Sequence, residues 1–248
     1  VRVDVLLGEA PVAPADVADR VVVVIDVLRA ATTVATALSS GARAVIPFET
    51  IEETIMRGKA YARGEVLLAG ERRMVRPEGF DLGNSPLDYT PEAVGGRTIL
   101  YSTTNGTAAL TATHGARSCF FAAFVNATAT VSAVRDALNE GGDLTVICSG
   151  HEKHLALEDV VCAGRLVRGI CDGRDDVIRG DGARVAESVE RPFMGGVVSV
   201  AYEAAHARSL TAAGFADDVH ACLTLDRFDV AVRYADRQLQ LAGVATAR

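Results

Sequence analysis

The chain has 248 residues, 49% of them hydrophobic, with a formal charge of −7 and a pI near 5.3. That is enough chain to bury a large core, and we expect residues 1–248 to form a single α/β domain. The composition excludes several classes: there is no Lys/Arg run to footprint nucleic acid, no apolar stretch near the roughly 20 residues of a membrane span, and no opening secretory signal.

Residues 3–7 read as a short edge strand. Residues 20–26, RVVVVID, hold an unbroken apolar run, the pattern of a strand covered on both faces in the middle of a parallel sheet. Asp26 ends that run, and a helical pattern over 29–40 follows, closed by Gly41. A strand at 44–48 leads to Thr50 and Glu53, a capping box that starts a helix over 51–62. A third apolar run, 66–69, ends in Gly70-Glu71-Arg72. The irregular stretch 73–90 contains GFDLGNSP, whose glycines, asparagine and proline specify turns and predict an ordered, functional loop.

Further strands are expected at 98–102, 118–124 and 144–148, with helices at 108–113, 127–139 (capped by Asn126) and 157–171. Beyond residue 172 the signals are helical, at 198–213 and 217–223, with one strand near 229–233. The alternation predicts an α/β fold: a mostly parallel sheet flanked by helices, with a mostly helical C-terminal region, 173–248, packed on it. Five scattered cysteines without a Cys-x-x-Cys pair read as reduced thiols of a cytoplasmic protein.

Four strand ends deliver polar residues: Asp26 with Arg29, Glu71 with Arg72, the run Thr103-Thr104-Asn105-Gly106-Thr107, and Ser149-Gly150-His151. In a parallel sheet these ends share one edge, the usual place for a ligand. Arg29, in a first helical turn, opposes the helix dipole at a cost of roughly 0.3–1 kcal/mol. An anionic ligand or a paired carboxylate would offset it. The loop 103–107 suits an anion, because glycine allows close approach, the hydroxyls donate and the next helix offers free amides. It equally suits a capped turn with Thr103 or Asn105 as N-cap.

The acids suit a hard cation, since Mg²⁺ takes one or two carboxylates together with phosphate oxygens and water. Asp26 and Glu71 are the first candidates, with Glu158 and Asp159 behind them. Those two are adjacent helical residues diverging by about 100°, so only one can face a site. Acids are also favourable in a first turn without any ligand. His151 and His154 lack the His-Glu-x-x-His zinc spacing and read as loop residues, with His151 a candidate proton donor. Asp26-Val27-Leu28 lacks the second acid of Asp-x-Asp phosphatases, and neither a nucleotide fingerprint nor a Gly-x-Ser-x-Gly elbow is present.

Six segments in order, IDVLRAATT (25–33), GER (70–72), GFDLGNSP (79–86), STTNGT (102–107), ICSG (147–150) and LEDVVCAG (157–164), resemble the 2-phosphosulfolactate phosphatase family. DVHACLTLD (218–226) fits it more loosely. The resemblance implies an α/β fold of the family's own and Mg²⁺-dependent removal of phosphate from (2R)-2-phospho-3-sulfolactate in coenzyme M synthesis. By their own chemistry Asp26, Arg29, Glu71 and Arg72 are the expected catalytic residues, with Mg²⁺ on Asp26 and Glu71. Thr103, Thr104, Asn105, Gly106, Thr107, Ser149 and Gly150 would bind the substrate's anionic groups. Lysine is confined to Lys59 and Lys153, so arginine must supply the cationic donors.

Two alternatives stay open. One is a phosphatase of another phosphorylated hydroxy acid, such as phospholactate. The other is a non-catalytic binder of small phosphorylated or sulfonated acids, which would not need Asp26 or Glu71 near the phosphate because bare carboxylates repel it. The expected partner is a small anionic phosphorylated substrate, and a free sheet edge leaves room for a homo-oligomer.

Overall fold

A computed structural model of the chain describes residues 1–8, 10–62 and 64–243. The strands are β1 (Arg2–Leu6), β2 (Val21–Ile25), β3 (Ala44–Pro47), β4 (Val66–Gly70), β5 (Thr98–Ser102), β6 (Ser118–Ala122), β7 (Leu144–Cys148), β8 (Ile178–Arg179), β9 (Val232–Ala235) and β10 (Gln238–Leu241). The helices are α1 (Pro14–Val17), α2 (Ala30–Ser39), α3 (Ile51–Gly58), α4 (Pro91–Val94), α5 (Gly106–Thr111), α6 (Ala127–Asn139), α7 (Leu157–Cys171), α8 (Asp181–Glu190), α9 (Val200–Glu203), α10 (Ala205–Ala212) and α11 (Ala216–Cys222). The α/β class is as expected, with parallel pairing predominant and helices prominent in the C-terminal region.

The valine run explains β2. All five of its residues are buried, and it pairs in parallel with β6 on one side and β7 on the other. Thr50 caps α3 as predicted, accepting a bond from Glu53 N at 3.0 Å. Asn126 does not cap α6: its Oδ1 accepts from Ala123 N at 2.9 Å and closes the preceding turn. The amide of Thr128, in the first turn of α6, is satisfied instead by Asp226 Oδ1 at 2.7 Å.

Three features of the sheet depart from expectation. The strand order is β4-β5-β3-β10-β9-β6-β2-β7-β1-β8, so β1 is no edge strand but lies between β7 and the two-residue β8. The C-terminal region supplies a hairpin, β9–β10, that inserts into the middle of the sheet and pairs antiparallel with β6 and with β3. A single strand near 229–233 was therefore too little. The expected helical region also runs on into residues 244–248, which lie outside the described residues. The hairpin further divides the sheet into two parallel blocks of opposite sense: β3, β4 and β5 run against β1, β2, β6, β7 and β8.

Helix α2 holds this arrangement together. Nine of its ten residues are buried, as suits a helix enclosed on all sides. It touches β3, β6 and β10 as well as the turn around Pro86. Its threonines tolerate burial because Thr32 Oγ1 donates to Val27 O at 2.9 Å and Thr36 Oγ1 to Thr32 O at 2.8 Å. In a flat sheet the five steps from β2 to β5 would span roughly 24 Å. Gly106, four residues past β5, nonetheless lies against Asp26, just past β2. The sheet therefore curls around α2. A strand twist of roughly 20–25° per step, summed over five steps, turns the opposed block far enough for its carboxyl ends to meet those of β2 and β7.

Candidate active site

Asp26 ends β2, and its Oδ1 accepts from Ala30 N at 3.0 Å, capping α2. Its Oδ2 has no donor among the described residues and faces Gly106; a Cβ on Gly106 would lie 2.6 Å from that oxygen. Glycine is required here because two chain segments close on one carboxylate. Burial is the main cause that pushes the Asp26 carboxyl up to about 6, opposed by the Ala30 amide and reinforced by Glu71 and Glu158 nearby.

Arg29 finds a paired carboxylate. Its Nη1 donates to Asp218 Oδ2 of α11 at 2.5 Å, and its Nη2 to Met74 O at 3.0 Å. Its guanidinium also lies 4.3 Å from the centroid of the Phe215 ring. Asp218 Oδ1 accepts from Ser85 Oγ at 2.7 Å, so the GFDLGNSP loop and the C-terminal helices are pinned to one corner. That loop is ordered, as predicted. Asp81 Oδ2 accepts from Leu68 N at 2.8 Å, Tyr89 OH donates to Gly83 O at 2.6 Å, and Tyr101 OH donates to Asn84 Oδ1. Asn84 also lines the pocket described below.

Glu71 follows β4 and joins two loops. Its Oε1 accepts from both Thr104 N and Thr104 Oγ1 at 2.8 Å, and its Oε2 from Met74 N at 2.9 Å. Arg72 does not reach the site. Its guanidinium donates to Glu71 O, Glu49 O and Ser102 Oγ at 2.7–2.9 Å, so it braces the strand end and is not in the pocket wall. The cation that does face the site is the next residue. Arg72 and Val75 pair as a two-residue hairpin whose central residues, Arg73 and Met74, have φ of 51° and 70°. This left-handed turn, which the sequence does not advertise by a glycine, points Arg73 at the mouth.

The loop after β5 divides between both readings offered for it. Thr103, Thr104 and Asn105 line the pocket, while Gly106 and Thr107 do not; Thr107 Oγ1 donates back to Thr103 O at 2.9 Å. Helix α5 starts at Gly106, two residues earlier than expected, and neither Thr103 nor Asn105 caps it through a side-chain bond. Thr103 Oγ1 is instead buried without a protein partner among the described residues.

Glu158 and Asp159 also lie outside the pocket wall, and the structure uses them differently from metal ligands. Asp159 Oδ1 accepts from Val27 N at 2.9 Å and its Oδ2 from Gly150 N at 3.0 Å, tying the ends of β2 and β7 together. Glu158 Oε1 lies 3.0 Å from His206 Nδ1. Ser149 and Gly150 are likewise structural at this site: Ser149 N donates to Ile25 O at 2.8 Å, and a Cβ on Gly150 would run into the His154 carbonyl. Ser149 lines a separate, more apolar cavity beside Lys153.

What converges, then, is a pocket of about 240 Å³, small enough to select a small molecule. Its wall holds the carboxylates Asp26 and Glu71, the guanidinium groups of Arg29 and Arg73, the loop residues Thr103–Asn105, Asn84, and the imidazoles of His151 and His206. Asn84, Arg73 and His206 were missed from sequence, because nothing in their neighbourhoods marks them beyond the turn residues near Asn84.

Asp26 and Glu71 are the residues that could hold a hard cation such as Mg²⁺. Asp26 presents a free oxygen beside Glu71, and the buried cation nearest to hand, Arg29, is already neutralised by Asp218. Among the described residues no three His, Cys, Asp or Glu side chains form a complete cage. A cation that keeps waters and substrate oxygens needs no cage. Fold and site together define an α/β protein with an acid-lined pocket for a small anion.

The comparisons make that class specific. The sequence model of the 2-phosphosulpholactate phosphatase family matches residues 9–237. Proteins named probable 2-phosphosulfolactate phosphatase are similar along nearly the whole chain. One from Clostridium beijerinckii is 32% identical over 96% of this chain and 98% of its own. One from Thermotoga petrophila is 40% identical over 91% and 92%, and one from Caldanaerobacter subterraneus 36% identical over 87% and 88%. The chain belongs to the 2-phosphosulfolactate phosphatase family and is, by family, a phosphatase.

Proposed function

We propose that the protein hydrolyses 2-phospho-3-sulfolactate to 3-sulfolactate and phosphate, with Mg²⁺ on Asp26 and Glu71, as a cytoplasmic step of coenzyme M biosynthesis. The observation that carries this reading is the convergence of Asp26 and Glu71 with Arg73 and Thr103–Asn105 in one small pocket. Bound there, the metal would neutralise charge on the phosphoryl oxygens. Arg73 and Asn84, both in the pocket wall, would bind the remaining anionic groups, Arg73 with a fork suited to oxyanions. The backbone and hydroxyl of Thr104, locked to Glu71, fix the phosphate end of the pocket relative to the carboxylates. A metal-free binder is disfavoured because two carboxylates in so small a wall would repel a phosphate.

The test is phosphate release from racemic 2-phospho-3-sulfolactate and from 2-phospholactate, each with Mg²⁺ and with EDTA. Metal-dependent release, faster from the sulfonate than from 2-phospholactate, is the expected result. Equal release from both keeps the phosphatase and removes the substrate assignment; release from neither by folded protein overturns the reading.

A further inference from the structure

Hydrolysis of an alkyl phosphate expels an alkoxide, a poor leaving group unless it is protonated as it departs. Neither Asp26 nor Glu71 can protonate it while holding a cation. We infer that His206, held through Nδ1 by the buried carboxylate of Glu158, donates the proton to the leaving oxygen. This assignment rests on the phosphatase reading above.

The geometry is that of an oriented acid. Glu158 Oε1 and His206 Nδ1 are 3.0 Å apart, with side-chain exposures of 1% and 8%. A carboxylate on Nδ1 fixes that nitrogen as N–H and sets the orientation of the ring. Nε2 has no partner among the described residues and is not enclosed by protein, while His206 forms part of the pocket wall and Glu158 does not. The ring therefore bridges from a buried anion behind the wall to the pocket that Asp26 also lines.

His151, the donor suggested by sequence, has a different place. Its ring stacks on His206 with centroids 3.8 Å apart and planes 17° from parallel, and its Nδ1 is buried with no partner among the described residues. Among the described residues no carboxylate orients it, and burial together with His206 pushes its imidazole below the ordinary range. It covers one face of the donor.

In the step, the bond from phosphorus to the leaving oxygen breaks and both electrons stay on that oxygen, which takes the Nε2 proton. Water forms the new P–O bond and gives up one proton to become hydrogen phosphate. That proton, returned through solvent, recharges His206.

The experiment compares His206→Gln and Glu158→Gln with the wild type on two substrates in Mg²⁺: racemic 2-phospho-3-sulfolactate, and acetyl phosphate, whose carboxylate leaves without a proton. For His206→Gln we expect kcat on the alkyl phosphate to fall on the order of 10²–10⁴-fold with KM nearly kept, and kcat on acetyl phosphate to change by less than about threefold. Glu158→Gln, a positioning change, should show the same split with a smaller loss. Equal losses on both substrates would overturn the assignment, as would an unaltered His206→Gln. If that variant does not fold, the wild type decides: its kcat should vary little from 2-phospholactate to acetyl phosphate, and a steep rise toward the better leaving group overturns the proposal. Failure of the wild type to release phosphate from any of them would instead sink the phosphatase reading.

Discussion

Arg29 and Asp218, 189 residues apart in sequence, form a buried ion pair at 2.5 Å in which neither side chain exposes more than 4% of its surface. The pair sets the corner of the site. It neutralises the cation that the helix dipole disfavours, and through Ser85 it holds the 79–86 loop against the C-terminal helices. Removing one partner strands a charge in apolar surroundings. Asp218→Ala should therefore lose about 3–5 kcal/mol of unfolding free energy. Arg29→Met with Asp218→Leu should lose much less than the single change, because no charge is left alone. Urea unfolding of the three proteins checks both. Equal destabilisation would show that the pair contributes packing and not charge compensation.

Asp26 gives a pH-dependent prediction for metal-free protein. Its folded pKa of about 6 lies above the ordinary 3.8, so between those values the native state holds a proton that the unfolded chain releases. Stability from this group is fully present below pH 3.8 and is lost as pH rises through 6. The loss amounts to about 3 kcal/mol. In EDTA, Asp26→Asn should melt higher than wild type at pH 7.5 and at about the same temperature near pH 4. In Mg²⁺ it should lose turnover by on the order of 10²-fold or more, since the charge on the phosphoryl oxygens goes unneutralised. A stabilising substitution that abolishes activity is the signature of a site residue. If Asp26→Asn kept full Mg²⁺-dependent turnover, the metal assignment would be wrong.

Arg73 is exposed and has no hydrogen-bond partner among the described residues, so its guanidinium is available to the ligand. Asparagine tolerates its φ of 51° better than alanine does. Arg73→Asn should leave the melting temperature unchanged and lower kcat/KM about 10- to 100-fold, the scale of one charged hydrogen bond. A matching change in Arg72, whose Nη1 and Nη2 both donate to protein acceptors, should act through stability instead. Parallel melting curves and kinetics for the two variants separate these outcomes.

Local pattern by itself determined a good deal of this protein. The apolar run of β2, the cap at Thr50, the turn chemistry of 79–86 and the polar residues waiting at the ends of β2, β4 and β5 were all legible, because each depends on neighbours within a few positions. Only the tertiary structure decided which of those residues meet. Nothing local to β9–β10 says that it will be inserted between β3 and β6, reversing the sense of one block and bringing β5 round to β2. Nothing local to Arg29 names Asp218, or to Glu158 names His206. Arg72 and Arg73 are indistinguishable as letters, yet a left-handed turn gives one to the protein and the other to the pocket. Periodicity reports which face of an element is buried. Partners in a buried site are chosen by strand order, twist and charge compensation between segments far apart in the chain.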